Sequence, residues 1–101
     1  MEIRQTKNGD HAILYLSGRF DFNVHRSFKE AYLPLLADAS IQMLEVNLSA
    51  VDYLDSSALG MLLMLRERVA TAQKQLALSK PNDTVAKILD IANFNKLFKI
   101  I

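Results

Sequence analysis

Residues 51–70, VDYLDSSALGMLLMLRERVA, constrain the fold more than any other part of the chain. An apolar run typical of a strand ends just before them, and at Asp55-Ser56-Ser57 the pattern changes to that of a helix. Asp and Ser side chains accept hydrogen bonds from the first N–H groups of a helix, which have no partner within it. The pattern therefore predicts a strand, a short turn and a helix over residues 56–72, capped by Asp55 or Ser56.

The start of this helix is a chemically suitable position for a phosphorylated serine. The positive end of the helix dipole favours negative charge, so it would stabilise a phosphate on Ser56. The adjacent Asp55 would repel that phosphate and remove part of the gain. A lone Ser at a helix start more often acts only as a cap, so both roles of Ser56 stay open at this point.

The rest of the chain alternates strand patterns with helix patterns. Five segments have the composition of strands: residues 2–7, 11–17, 40–48, 76–79 and 98–101. Asn8-Gly9-Asp10 is typical of a hairpin turn between the first two strands. We expect Gly18 to end the second strand.

Two further helices are predicted, one on each side of the central segment. The first has apolar residues at helical spacing over residues 24–36, and Pro34 should kink it or split it. The second is capped by Asp83 or Thr84 and ends before Asn93. This alternation predicts a single α/β domain over residues 1–101, with a mixed central sheet of roughly four to five strands covered by three to four helices.

The central helix is more apolar than burial of one face requires. Seven of the eight residues 58–65 are apolar and occupy most of the helix circumference, whereas a surface helix normally has one apolar stripe. Met61 and Met64 are therefore candidates for a partner-binding surface, since flexible thioethers suit adaptable contacts. The alternative is that both pack beneath neighbouring elements.

Composition excludes several classes of function. The 101 residues include twelve Lys and Arg against eleven Asp and Glu, so no basic excess indicates nucleic acid or an anionic membrane as a partner. The chain has no cysteine, which excludes disulfides and thiolate metal sites. No apolar signal segment or membrane-spanning run occurs, and we therefore expect a soluble cytoplasmic protein without direct membrane insertion.

Enzyme activity is not indicated. Ser56 lacks the G-x-S-x-G elbow of a serine hydrolase, and His11 and His25 are interpreted as solvent-facing or capping residues. The chain has no phosphate-binding glycine motif, no pair of histidines at helical spacing and no calcium loop. We therefore expect no catalytic residue, cofactor or metal.

Three segments resemble one known family. The run Asp55-Ser56-Ser57-Ala58-Leu59-Gly60 resembles the D-S-[ST]-G-L-G signature of STAS domains, the family of bacterial anti-sigma factor antagonists. Gly18-Arg19-Phe20-Asp21 is similar to the turn after the second strand of that family, and residues 93–100 are similar to its closing segment. Ala58 replaces the usual Gly, and because Ala is the better helix former we expect a stiffer first turn.

The resemblance implies a protein that regulates transcription by partner switching. Its unphosphorylated form would bind an anti-sigma factor that is also a serine kinase, and so release a sigma factor. The kinase would phosphorylate Ser56, or alternatively Ser57, and a serine phosphatase would reset the switch. The expected partner-binding residues are Asp21, Asp55, Ser57, Ala58, Met61 and Met64.

Two questions stay open after this resemblance is taken into account. Asp21 and Asp55 can act as helix caps, as residues that position the phosphorylated hydroxyl, or as both. The whole domain can also be a structural or regulatory subunit of a transporter or stress complex in which Ser56 is never modified. The Asp-Ser-Ser turn would then be only a cap and a contact.

Overall fold

The computed structural model describes residues 1–101. Five strands form one sheet in the order β1 (Glu2–Asn8), β2 (His11–Phe20), β3 (Met43–Leu54), β4 (Gln75–Ser79) and β5 (Lys99–Ile100). β1 and β2 are antiparallel, and every other neighbouring pair is parallel. The predicted mixed α/β sheet is therefore confirmed. Parallel neighbours need long crossovers, and the helices supply them.

Three α-helices connect the parallel strands: α1 (His25–Ala37), α2 (Ser56–Thr71) and α3 (Asp83–Ile91). Single 3₁₀ turns, Phe22–Val24 and Phe94–Lys96, precede α1 and follow α3. None of the helices has the length and apolarity needed to cross a membrane.

One apolar core of 24 buried residues joins the sheet to the helices. Alternate residues of β2, including Leu14 and Leu16, are fully buried, whereas Ile13 and Tyr15 are only half-buried. The period of two shows that one face of this strand carries the core. α1, α2 and α3 contribute Phe28, Leu62 and Leu89 to the same cluster.

The hairpin between β1 and β2 forms as predicted. Asn8 pairs with His11 across a two-residue turn, and Gly9 adopts the left-handed φ of 64° that such a turn favours. Gly18, however, does not end β2, which continues to Phe20. Its φ of 102° coincides with a register shift against β3, so the strand bends at Gly18 and then resumes pairing.

Three other predictions require correction. β3 covers Met43–Leu54 and thus extends past the predicted end at residue 48, because its last part pairs with the end of β2. Pro34 does not split α1, since both Pro34 and Glu30 are exposed and water can reach the carbonyl that loses its helical partner. α3 is capped by Asn82, whose side chain accepts a hydrogen bond from the Val85 N–H, rather than by Asp83 or Thr84.

Candidate functional site

The predicted site lies where β2 and β3 end side by side. Phe20 pairs with Leu54 in the last step of the register, and the Asp55 N–H donates to the Phe20 carbonyl over 3.3 Å. Asp21 and Asp55 directly follow this pair, so the structure brings both predicted acidic residues to the same edge of the sheet. The carboxyl edge of a parallel sheet is the usual location of binding sites in α/β folds.

Each of the two aspartates caps a helical element. The Asp21 carboxylate accepts the Asn23 N–H at 2.9 Å, and the Asp55 carboxylate accepts the Ala58 N–H at 2.9 Å. The prediction of a cap at the start of α2 is therefore confirmed, with Asp55 rather than Ser56 in that role. These hydrogen bonds fix the Asp55 carboxylate at the first turn of α2 and the Asp21 carboxylate at the 3₁₀ turn before α1.

Ser56 is the first residue of α2 and is exposed. Ser57, the second residue, is half-buried. The N–H groups of the first helical turn have no partner within a helix, so those of Ser56 and Ser57 can donate to an anion held there. Ser56 thus combines an accessible hydroxyl with a backbone that suits a phosphate.

The apolar residues of α2 divide into a buried set and an exposed set. Ala58 is fully buried and Met61 is only 7 % exposed, because both pack into the core. Their placement corrects the prediction that these two side chains form a partner-binding surface. Met64, by contrast, is 49 % exposed, and Leu63 is also exposed.

Two features of this edge were missed by the sequence analysis. Phe22, directly after Asp21, is 70 % exposed and stacks on the His25 ring at a centroid separation of 6.2 Å. Gly60 lies on an exposed part of α2 where an added Cβ would have no atom within 4 Å. The sequence did contain a signal for Phe22, because a large aromatic residue between two polar residues of a turn seldom reaches the core.

The site contains no arrangement for nucleophilic catalysis. His11 lies at the opposite end of β2, where its partly exposed ring is hydrogen-bonded to Glu45 at 3.0 Å. His25 is exposed at the start of α1. No three His, Asp or Glu side chains converge as metal ligands. The chemistry that the site offers is binding at an exposed helix start.

Comparison with known proteins assigns the family. The family model described as Mlab, STAS domain matches residues 3–100. The chain belongs to this STAS family. A STAS-domain containing protein of Pseudomonas aeruginosa (strain UCBPP-PA14) is 41 % identical over 93 residues, which cover 92 % of this chain and 90 % of that protein.

Solved structures share the fold of this STAS domain at low identity. An anti-sigma factor antagonist from Mycobacterium paratuberculosis matches with a TM-score of 0.85 and 18 % identity, over 98 % of this chain and 83 % of that one. The antagonist SpoIIAA in its unphosphorylated form matches with a TM-score of 0.82 and 14 % identity, over 99 % and 88 % of the two chains. The phosphorylated form of SpoIIAA, from Bacillus, matches with a TM-score of 0.75 and 13 % identity, over 99 % and 91 %. At these identities the likeness shows the fold alone.

Proposed function

We propose that this STAS domain is an anti-sigma factor antagonist that is switched off by phosphorylation of Ser56. The unphosphorylated domain binds an anti-sigma factor with serine kinase activity and thereby frees a sigma factor. A serine phosphatase removes the phosphate and restores binding. We further propose that the cycle takes place in the cytoplasm, where the kinase has access to ATP.

The observation that carries this proposal is the position of Ser56. Its hydroxyl is exposed at the first position of α2, one residue after a cap that the Asp55 carboxylate already fills. A kinase can therefore reach the Ser56 hydroxyl without opening the helix. We propose that Asp55, the preceding residue, positions that hydroxyl, and that Ser57 is the alternative acceptor, although it is less accessible.

The docking surface in this proposal surrounds Ser56. Phe22 and Met64 are exposed side chains that a partner can bury, and Gly60 lets a partner backbone approach α2 closely. Asp21, Asp55 and Ser57 lie at the rim of this surface. Its centre is small and partly apolar, which suits a reversible complex.

Electrostatics explains how a phosphate would end binding. Phosphorylation adds about −1.5 to −2 charges at neutral pH. That charge would have to be desolvated when a partner covers the start of α2, and an unpaired buried charge is costly. Asp55 adds a further negative charge on the adjacent residue. The combined free-energy cost of desolvation and charge repulsion is large enough to dissociate a complex of moderate affinity.

A constitutive subunit is the second candidate function. The exposed Phe22, Leu63 and Met64 can bind a transporter or stress-complex partner whether or not Ser56 is modified. In that case the Asp-Ser-Ser turn acts only as a cap and a contact. The two candidates differ in one measurable respect, the effect of charge at Ser56.

Affinity capture from the native cytosol tests the proposal, with wild type, Ser56→Ala and Ser56→Asp as baits. Thr84→Asp is the matched control, because it adds the same charge to an exposed residue in the first turn of α3. We expect wild type, Ser56→Ala and Thr84→Asp to retain an anti-sigma factor with a kinase domain, and Ser56→Asp to lose it. Mass spectrometry of the wild-type bait should find phosphate on Ser56. Equal capture by all four baits without any phosphate would refute the switch and favour the constitutive subunit.

A further inference from the structure

A cleft between α1 and α2 shares one exposed side chain, Met64, with the proposed docking surface but contains neither Ser56 nor its cap. Its inner part is a cavity of about 140 Å³ lined by Phe28, Tyr32 and Met61. All three of these residues are buried and belong to the core, so the inner wall of the cavity is fixed by the packing of the two helices. The rest of its lining consists of the exposed or half-buried side chains His25, Lys29, Met64 and Arg68.

Lys29 and Arg68 are the cationic side chains of this cavity, His25 also lines it, and no carboxylate does. Neither Lys29 nor Arg68 forms an ion pair, although Lys and Arg side chains elsewhere in the chain do. Such a concentration of unpaired cationic groups in a concave site attracts an anion.

Arg68 is the most unusual of these residues. Its Nε is shielded from solvent and has no hydrogen-bond partner. A buried donor without an acceptor is destabilising, so an acceptor that enters the cleft would be favoured. Burial raises the pKa of the Tyr32 hydroxyl, and the positive charge of neighbouring Arg68 offsets part of that rise. The hydroxyl is therefore protonated at neutral pH.

The cleft continues into an open apolar groove of about 510 Å³. Leu33, Leu36, Ala37 and Ala72 form its apolar wall, and Glu67 and Thr71 also line it. Met64 and Arg68 line both the groove and the cavity. The cationic end and the apolar end are thus parts of one continuous surface. A combined site of this size is in the range of small-molecule pockets.

We propose that this cleft binds a small amphipathic carboxylate, with its head against Arg68 and its aliphatic chain along the Leu33 groove. The guanidinium fork matches the two oxygens of a carboxylate, and Lys29 adds a second positive charge. The apolar wall of the groove has room for a medium-length aliphatic chain, and Glu67 is the one carboxylate that lines the groove. This site does not depend on the proposed phosphorylation of Ser56.

Octanoate is the probe that tests the proposal, added to the full chain and followed by calorimetry and by amide chemical shifts. We expect saturable binding with shifts centred on Met61 and Met64. Two partial ligands separate the contributions: 1-octanol has the chain without the charge, and acetate has the charge without the chain. Each should bind at least about tenfold more weakly than octanoate, because each lacks one of the two contacts.

Variants locate the head group. Arg68→Gln and Lys29→Gln should each weaken octanoate binding, Arg68→Gln by about tenfold, which is the loss expected for one charged hydrogen bond. Lys87→Gln, on the exposed face of α3, removes the same charge elsewhere and should leave the affinity unchanged. The amide spectrum of each variant checks that it is folded. If Arg68→Gln does not fold, Lys29→Gln still tests whether the cationic side chains bind the carboxylate.

Three results would overturn the assignment. One is the absence of saturable octanoate binding to wild type. Another is equal affinity for octanoate and octanol, which would mean that the cations contribute nothing. The third is an equal loss in Lys87→Gln and the cleft variants, which would mean that octanoate responds only to overall charge.

Discussion

Replacing Gly60 with Ala should stabilise the protein. Gly60 lies inside α2, four residues after its first residue, and has an ordinary helical backbone. An added Cβ would have no heavy atom within 4 Å, so the substitution has no steric cost. Glycine in a helix interior is about 0.8–1.0 kcal/mol less favourable than alanine, and nothing around Gly60 offsets that difference.

The gain can be measured by urea unfolding and by thermal melting. We expect Gly60→Ala to raise the free energy of unfolding by about 1 kcal/mol with an unchanged m-value. For a domain of this size the corresponding rise in Tm is about 4–8 °C. Because Gly60 is part of the proposed docking surface, the same variant should bind the captured partner less well although it is more stable.

Gly18→Ala is the matched control, because it makes the same chemical change where the backbone forbids it. The φ of Gly18 is 102°, while its nearest contact, the Met1 Cα at 3.6 Å, is an ordinary one. The substitution should therefore destabilise the protein through backbone strain, by roughly 1–2 kcal/mol. If Gly60→Ala lowers stability, or if both variants change it in the same direction, this account of the two glycines is refuted.

Other predictions concern individual side-chain hydrogen bonds. Asp55→Ala should lower the free energy of unfolding by about 0.5–2 kcal/mol, because the cap of α2 is lost. Asp55→Asn should keep the stability but slow phosphorylation by the cognate kinase. Equal phosphorylation rates in Asp55→Asn and wild type would argue against a positioning role. Asn82→Ala should lower the free energy of unfolding, measured by thermal melting, by about 1–3 kcal/mol, because Asn82 both caps α3 and donates to the Val51 carbonyl. Asn82→Asp should keep the cap and lose only the hydrogen bond to the Val51 carbonyl. The Ser40 hydroxyl and N–H hold the pKa of Asp38 in the folded protein below its usual value. The Asp38 carboxylate therefore stabilises the fold at pH values above its unfolded pKa of about 3.9. This stabilisation is lost as the pH falls through the lower pKa of the folded protein. Urea unfolding should therefore show that Asp38→Asn is less stable than wild type at pH 7 and closer to wild type in stability at pH 2. The same difference in unfolding free energy at both pH values would contradict this reasoning.

The start of α2 was predictable from sequence because its signals are local. A cap, a first turn and an apolar helical repeat all act over a few residues, and they indicated Asp55, the exposed Ser56 and nearly the full extent of the helix. The same holds for the hairpin turn at Asn8-Gly9-Asp10. The part of the site that could not be predicted was which apolar side chains are exposed. Phe22 is exposed because its turn leaves it outside the core, and Met61 is buried because α1 packs over it.

The order of strands and helices, the cap of α2, the hairpin turn and the class of fold were predictable from the sequence, since each depends on neighbouring residues along the chain. Tertiary structure alone decided where β2 and β3 end, because pairing between distant strands carries β2 past Gly18 and β3 as far as Leu54. It also decided which apolar residues of α2 face outward and which cations line the α1–α2 cleft. These properties depend on what packs against each face of a helix, and neither local propensity nor periodicity contains that information.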